Sequence, residues 1–203
     1  NNAMGLWLIR KGQFAKAEPY LRRAVKTLTE KNPNPYDGEP LYNLGLSLKY
    51  QGKTDEAYDC FYKACWNAAW QDAGYYSLAQ LSASKGNWED ALYEIDKSLL
   101  RNWHNLRGRH LKAVVLRHLG RVDEALDLIR ESLAIDCFNF GCSFEEYLLT
   151  GEKAVLDDLL VRMRSEGHNY EELSLDYASA GCWEEALKVV EVAFEVVASE
   201  RTL

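Results

Sequence analysis

Proline is scarce in this chain and confined to one end. The four prolines are Pro19, Pro33, Pro35 and Pro40, so everything after residue 40 is free of it. A long proline-free stretch without runs of alternating β-branched residues predicts helix after helix and excludes a sandwich or barrel. No apolar run approaches the ~20 residues of a membrane-spanning helix. Basic charge is short as well: 24 Lys and Arg stand against 31 Asp and Glu, a net charge of -7. That balance argues against a nucleic-acid backbone as the main partner, because phosphates need a basic footprint. Cysteines are few and odd in number: Cys60, Cys65, Cys137, Cys142 and Cys182. A chain of 203 residues needs no disulfide staples. The expectation is free thiols buried in helix packing and a reducing, cytoplasmic setting.

What the sequence does contain is itself, several times over. KGQFAKA at 11–17 recurs as QGKTDEA at 51–57, KGNWEDA at 85–91, LGRVDEA at 119–125 and AGCWEEA at 180–186, with a weaker copy, TGEKAVL, at 150–156. The glycines Gly12, Gly52, Gly86, Gly120, Gly151 and Gly181 are therefore 40, 34, 34, 31 and 30 residues apart. Each copy reads as a helical hairpin. The glycine closes a first helix in the left-handed conformation. A second helix then begins with acidic residues (Asp55 and Glu56, Glu89 and Asp90, Asp123 and Glu124, Glu184 and Glu185) that suit its positive end. Ala57, Ala91, Ala125 and Ala186 are small enough to let the two helices approach. Six hairpins predict twelve helices.

These residues carry a family resemblance. LYNLGLSLKYQGKTDEAYDCFYKA at 41–64 resembles the tetratricopeptide repeat (TPR) at Leu44, Gly45, Leu48, Gly52, Ala57, Phe61 and Ala64. The resemblance covers nearly the whole chain and implies an all-α, right-handed superhelix. It divides the chain into repeats at 1–31, 41–70, 71–103, 104–137, a degenerate 138–168, and 169–203, with an insertion loop at 32–40. The proline that usually closes each TPR repeat is replaced here by Ala69, Trp103 and Cys137. Pentatricopeptide RNA-binding arrays have a similar period, but the acidic balance and the Gly/Ala pattern speak against them. Pro19, just past the first turn of a second helix, predicts a kink or a tight turn.

Both ends of the sequence read as cut from a longer protein, since the first helix should begin near position -2. In the last helix, Ala186, Val190, Ala193 and Val197 form the expected inward stripe. Val189, Val192 and Val196 form a second apolar stripe that a homodimer partner, a further helix or another domain would cover. The bland alternative is that Val189 and its neighbours tuck against the preceding helix.

No catalytic or metal pattern stands out, so neither an enzyme nor a cofactor is expected. The two C-x4-C pairs lack convergent partners and read as core thiols. His110 and His118, two turns apart, read as a solvated or ligand-facing pair. Glu145 and Glu146, and Glu171 and Glu172, read as solvated surface.

In a TPR array the first helices line the concave groove. This places Asn2, Leu6 and Ile9 there, then Tyr42, Asn43, Leu46, Lys49 and Tyr50. Tyr76, Ser77, Gln80 and Ala83 follow, and last Arg107, His110, Val114, Arg117 and His118. Such a groove is aromatic on one side and cationic on the other. It suits a peptide bearing aromatic residues and an acidic group, unless Tyr42 and Tyr50 merely pack between repeats. TPR clamps for a C-terminal carboxylate would need Lys, Asn, Asn, Lys and Arg at the positions held by Asn2, Leu6, Asn43, Ala73 and Ser77, and only Asn43 fits. Trp66 and Trp70, four apart, are expected to stack on one side, with Asp72 capping the next helix and Tyr75 and Tyr76 following.

The segments NPNPYDGEPLYNLGLSLK and YKACWNAAWQDAGYYSLAQ also resemble the TPR region of large bacterial proteins that carry a galactose-mutarotase-type β-sandwich. That resemblance implies a carbohydrate-related parent, with the Trp66/Trp70 edge or the Tyr36–Pro40 loop facing another domain. The functional expectation is a non-enzymatic scaffold for a protein, a peptide or a neighbouring domain. The alternatives are an accessory module of a carbohydrate-active protein and direct sugar binding by Trp70, Tyr76 and Asp72.

Overall fold

The computed structural model describes residues 1–30, 32 and 35–200, with side chains as far as Val196. Among them are twelve α-helices and no strand. They run α1 (Asn2–Arg10), α2 (Phe14–Thr29), α3 (Glu39–Lys49), α4 (Thr54–Ala64), α5 (Gln71–Ser84), α6 (Trp88–Arg101), α7 (Leu106–His118), α8 (Val122–Ile135), α9 (Phe140–Thr150), α10 (Lys153–Met163), α11 (Gly167–Ser179) and α12 (Trp183–Glu200). A short 3-10 turn, Ala68–Trp70, separates α4 from α5. Among the described residues no helix is long and apolar enough to cross a membrane.

The helices pair into six successive hairpins, each turned by one of the six repeat glycines. All six have φ between 68° and 78°, a region where a side chain would be strained. Ala57, Ala91 and Ala125 are fully buried where the second helix of a hairpin crosses the first. α2 continues through Pro19 for 16 residues. The degenerate fifth repeat still forms a hairpin, from two helices of 11 residues each.

The hydrophobic interior falls into two clusters. One joins the first three hairpins through Leu8, Leu21, Leu44, Leu48, Phe61 and Leu78. The other joins hairpins three to six through Leu99, Leu116, Ile129, Phe144, Leu159, Met163 and Tyr177. The two meet in α5, which contributes Leu78 and Leu81 to the first and Ala79 and Ala83 to the second.

The last hairpin departs from regular stacking. α11 packs against α5, three hairpins back. The approach is tight at Gly181, where a Cβ would lie 2.7 Å from the Cα of Ser84. The array therefore curls until its sixth hairpin reaches its third. The inner face of the C-terminal half is lined by its own chain.

The last helix departs from expectation in part: Ala186 is buried and Ala193 packs on the core as expected, but Val190 does not. Val189 is buried, and Val189 and Val192 pack with Phe144, Leu156, Leu159, Met163, Tyr170 and Leu173 of the preceding helices. Val189 thus offers no surface to a dimer partner, and Val192 is half-buried against the preceding helices, as the bland reading has it. Val190, expected to point inward, is exposed together with Leu187 and Phe194. The side chain of Val197 lies outside the described residues.

Candidate functional site

The cations of the expected groove are already partnered. The Arg117 guanidinium donates to both oxygens of Glu145, at 2.7 and 3.3 Å, and to Glu185 Oε1 at 2.7 Å. Tyr177 on α11 donates to Glu145 Oε1 at 2.7 Å. Glu145, expected on the solvated surface, is 0% exposed. Its adjacent acid neighbour in sequence points elsewhere, as helix geometry requires, but only the fold could bring Arg117 and Tyr177 to it. Lys49 donates to Gln80 Oε1 at 2.6 Å, and Gln80 in turn donates to the Tyr76 hydroxyl at 3.2 Å. Burial pushes the Lys49 ammonium down to about 8. Arg107 lies 3.4 Å from Asp176 and 3.5 Å from Glu172. Each of these three cations is held by a side chain of its own array, so they do not form a free cationic wall for an acidic group.

Other expected residues also turn out to hold the fold. Tyr42 lies between Phe61 and Trp70, with ring centroids 5.4 and 4.9 Å away. Asn43 is buried and donates to Asn2 Oδ1 at 3.1 Å. Asp72 caps no helix. It accepts from Ser98, Asn102 and Asn105 at 2.7, 2.8 and 3.1 Å and so bolts α5 to α6 and to the start of α7. Trp66 and Trp70 do not share a face, because α4 ends at Ala64 and the 3-10 turn reorients the chain. Trp70 packs on Tyr42, while Trp66 is exposed beside Tyr62, edge to face at 6.3 Å. Tyr50 is exposed and stacks on Phe14 at 4.6 Å. The five cysteines are free, but Cys137 is exposed rather than buried.

The two histidines of α7 part company. His118 stacks flat on Trp88, with centroids 3.9 Å apart. Its Nε2 is 3.8 Å from Cys182 Sγ and 3.6 Å from Glu185 Oε1. The three could offer nitrogen, sulfur and oxygen to a metal ion. Two features oppose it. The Arg117 guanidinium already holds the same Glu185 oxygen, and burial pushes the Cys182 thiol up to about 12.

His110 faces a cleft of about 230 Å³ between α7, the α8–α9 turn and α11. Its lining mixes charge (Arg107, Glu172, Asp176), amides (Asn139, Asn169) and apolar surface (Leu106, Phe138, Phe140, Leu173). The His110 ring is pinned by Gly141, whose added Cβ would lie 2.3 Å from Cγ, and edge-on to Tyr177 at 4.8 Å. Burial pushes its pKa down to about 3, so the imidazole is neutral. Its Nε2 is buried with no hydrogen-bond partner. Burial also pushes the Asp176 carboxyl up to about 6, with Arg107 holding it back and Glu172 adding to the rise. Sequence reasoning found Arg107 and His110. It missed Asp176, because no periodicity marks a carboxylate that a curling array carries across to another hairpin.

Asp176 has a measurable consequence. A carboxyl whose folded pKa is raised stabilises the fold fully below its ordinary value of 3.8, and that contribution is lost as pH rises through about 6. Asp176→Asn removes this loss. The urea midpoint of the variant therefore falls less than that of the parent between about pH 4 and about pH 7. An equal fall in both would show that Asp176 does not titrate in this window.

Residues 38–65 match the tetratricopeptide-repeat family model. Solved structures match over nearly the whole chain. The fold is that of the tetratricopeptide-repeat superhelix. A TPR protein from Parabacteroides merdae ATCC 43184 is 20% identical with a TM-score of 0.67, covering 96% of this chain and 77% of that one. MamA AMB-1 is 18% identical with a TM-score of 0.57, covering 98% of both chains. MamA from Desulfovibrio magneticus RS-1 is 15% identical with a TM-score of 0.58, covering 97% and 93%. In TPR terms, the cleft at His110 lies on the first helices of repeats four to six, the helices that line the inner face.

Proposed function

We propose that this TPR array is a non-enzymatic scaffold that binds a peptide on its inner face and seats one basic side chain in the His110 cleft. One observation carries the reading: the open cleft lined by His110 holds two carboxylates, Glu172 and Asp176, against one guanidinium, Arg107. The Arg107 ion pairs at 3.4 and 3.5 Å are long, so Glu172 and Asp176 retain capacity to accept from an incoming Lys or Arg. Phe138 and Phe140 supply apolar contact for the ligand's aliphatic stem.

The test is an array of 12-residue peptides in which central Lys, Arg, Gln and Glu are exchanged in fixed aromatic-containing frames. Capture should favour Lys and Arg and drop at least tenfold in the double variant Glu172→Gln/Asp176→Asn. Preference for Glu, or capture indifferent to the double variant, would sink the proposal.

The exposed Trp66 and Tyr62 favour a second reading, in which that edge meets a neighbouring domain of carbohydrate-active type. Quenching of Trp fluorescence by oligosaccharides, lost in Trp66→Ala, would instead mark the edge as a direct sugar contact.

A further inference from the structure

The link between hairpins five and six is strained. Arg164, which ends α10, is the one non-glycine residue among those described that has a positive φ, 55° with ψ of -164°. A side-chain-bearing residue holds that conformation only where its surroundings enforce it, and such positions cluster at switch regions. Here α11 enforces it. Tyr170 donates to the Arg164 carbonyl at 2.8 Å, and Asn169 donates to the Met163 carbonyl at 3.0 Å.

Hairpin six meets the array through two kinds of contact. Towards α10 it is apolar: Leu173, Val189 and Val192 lie against Leu159, Leu160 and Met163. Such contact is non-directional and lets packed helices slide. Towards α7 it is mainly polar, apart from Tyr177 set edge-on to His110. Glu185 accepts from Arg117 at 2.7 Å and lies 3.6 Å from His118, while Asp176 and Glu172 lie 3.4 and 3.5 Å from Arg107. Gly181 sets how closely the two parts approach. A Cβ there would lie 2.7 Å from Ser84 Cα, whereas a Cβ on Gly12, Gly52, Gly86, Gly120 or Gly151 would meet nothing within 4 Å. The His110 cleft spans the same seam. Arg107 and His110 belong to α7, and Asn169, Glu172 and Asp176 ride on α11.

We infer that α11 and α12 form a lid, hinged at Arg164 and latched where Gly181 and Glu185 meet hairpins three and four, whose opening parts the His110 cleft while the other hairpins stay folded. The strain at Arg164 belongs to the closed state and is released on opening. The lid acts on the cleft whatever ligand fills it.

Cys182, beside Gly181, reports the latch. It is 5% exposed and lies 3.8 Å from His118 Nε2. Cys65 and Cys142, 3% and 0% exposed, are buried away from the latch and serve as references. Burial pushes all three thiols up to about 12, so each reacts only when its cover is removed.

The experiment is iodoacetamide labelling of the full chain, read by mass spectrometry of the peptide that carries each cysteine. Cys182 should label at least tenfold faster than both references. It should label faster still as salt rises from about 0.05 to about 0.5 M, because the latch ion pairs are screened. Gly181→Asn should speed Cys182 a further tenfold and leave the references unchanged. Gly120→Asn is its control, since asparagine there meets the same positive φ in open space. Arg164→Gly acts from the far end of α11, about 20 Å away. It should relieve the closed state and slow Cys182 at least threefold. Helical circular dichroism checks that each variant folds. Three thiols that label in step under every condition would mean that hairpin six opens only with the whole fold, and would overturn the lid. So would a Cys182 rate that Arg164→Gly leaves unchanged, or an equal gain from Gly120→Asn.

Discussion

Arg117→Met should destabilise the C-terminal half of the array by about 3–5 kcal/mol, the range for removing one partner of a buried ion pair. Arg117 faces two carboxylates, one of them with no exposed surface. Without the guanidinium, Glu145 must stay charged in a low dielectric or take up a proton. Burial already holds its pKa above the ordinary 4.5, and loss of Arg117 raises it further. A folded pKa above the unfolded one means that stability is retained below the ordinary carboxylate range and lost as pH rises. The variant is thus weakest at neutral pH and recovers on acidification. For a chain of this length the loss corresponds to roughly 10 °C in Tm. Adding Glu145→Met should return most of it, because the pair is then replaced by apolar groups of similar volume. Thermal melts of the single and double variants at two pH values decide the matter. A single variant that melts with the parent would mean that the network does not support the fold.

Phe61→Ala should cost a similar amount, about 3–5 kcal/mol, but elsewhere. Phe61 is fully buried in the cluster that joins the first three hairpins. Its ring meets α3 so closely that a Cβ on Gly45 would lie 2.6 Å from it. The truncation leaves a cavity that two rigid helices cannot collapse into. Repeat arrays are stabilised mainly between neighbours, so the loss stays local. Amide exchange should accelerate across α1 to α4 and leave α7 to α12 protected, the reverse of the pattern in Arg117→Met. Adding Gly45→Ala should recover part of the loss, since the new methyl enters the vacated space. Uniform acceleration over all twelve helices would show that the two clusters unfold as one.

The hairpins were legible because their signal is local and repeated. A glycine that must take positive φ, an alanine where helices cross and an acidic first turn are each decided within about a dozen residues. The fifth hairpin was legible only as a weak copy, yet Gly151 still turns it with φ of 68°. The side chains of the inner face were legible as positions but not as chemistry. Arg117 and Lys49 lie on the helices expected to line the groove, but their partners Glu145, Glu185 and Gln80 come from other hairpins. Trp66 and Trp70 show a local error of the same kind. Spacing of four implies a shared face only within one helix, and α4 stops at Ala64.

By itself the sequence determined the unit, its number and its order, because each hairpin closes through contacts close in the chain. The tertiary structure alone decided how far the array curls. That depends on small rotations between successive hairpins, which add up over the chain and leave no mark at any one position. The curl carries α11 back to α5, places Tyr177 on Glu145 and Asp176 beside Arg107, and opens the cleft at His110. It also decided which side of α12 was buried. Both its stripes are apolar, so composition could not choose between them. The choice fell to whichever stripe met the apolar walls of α9 and α10, and Val189 and Val192 met them while Val190 and Phe194 did not.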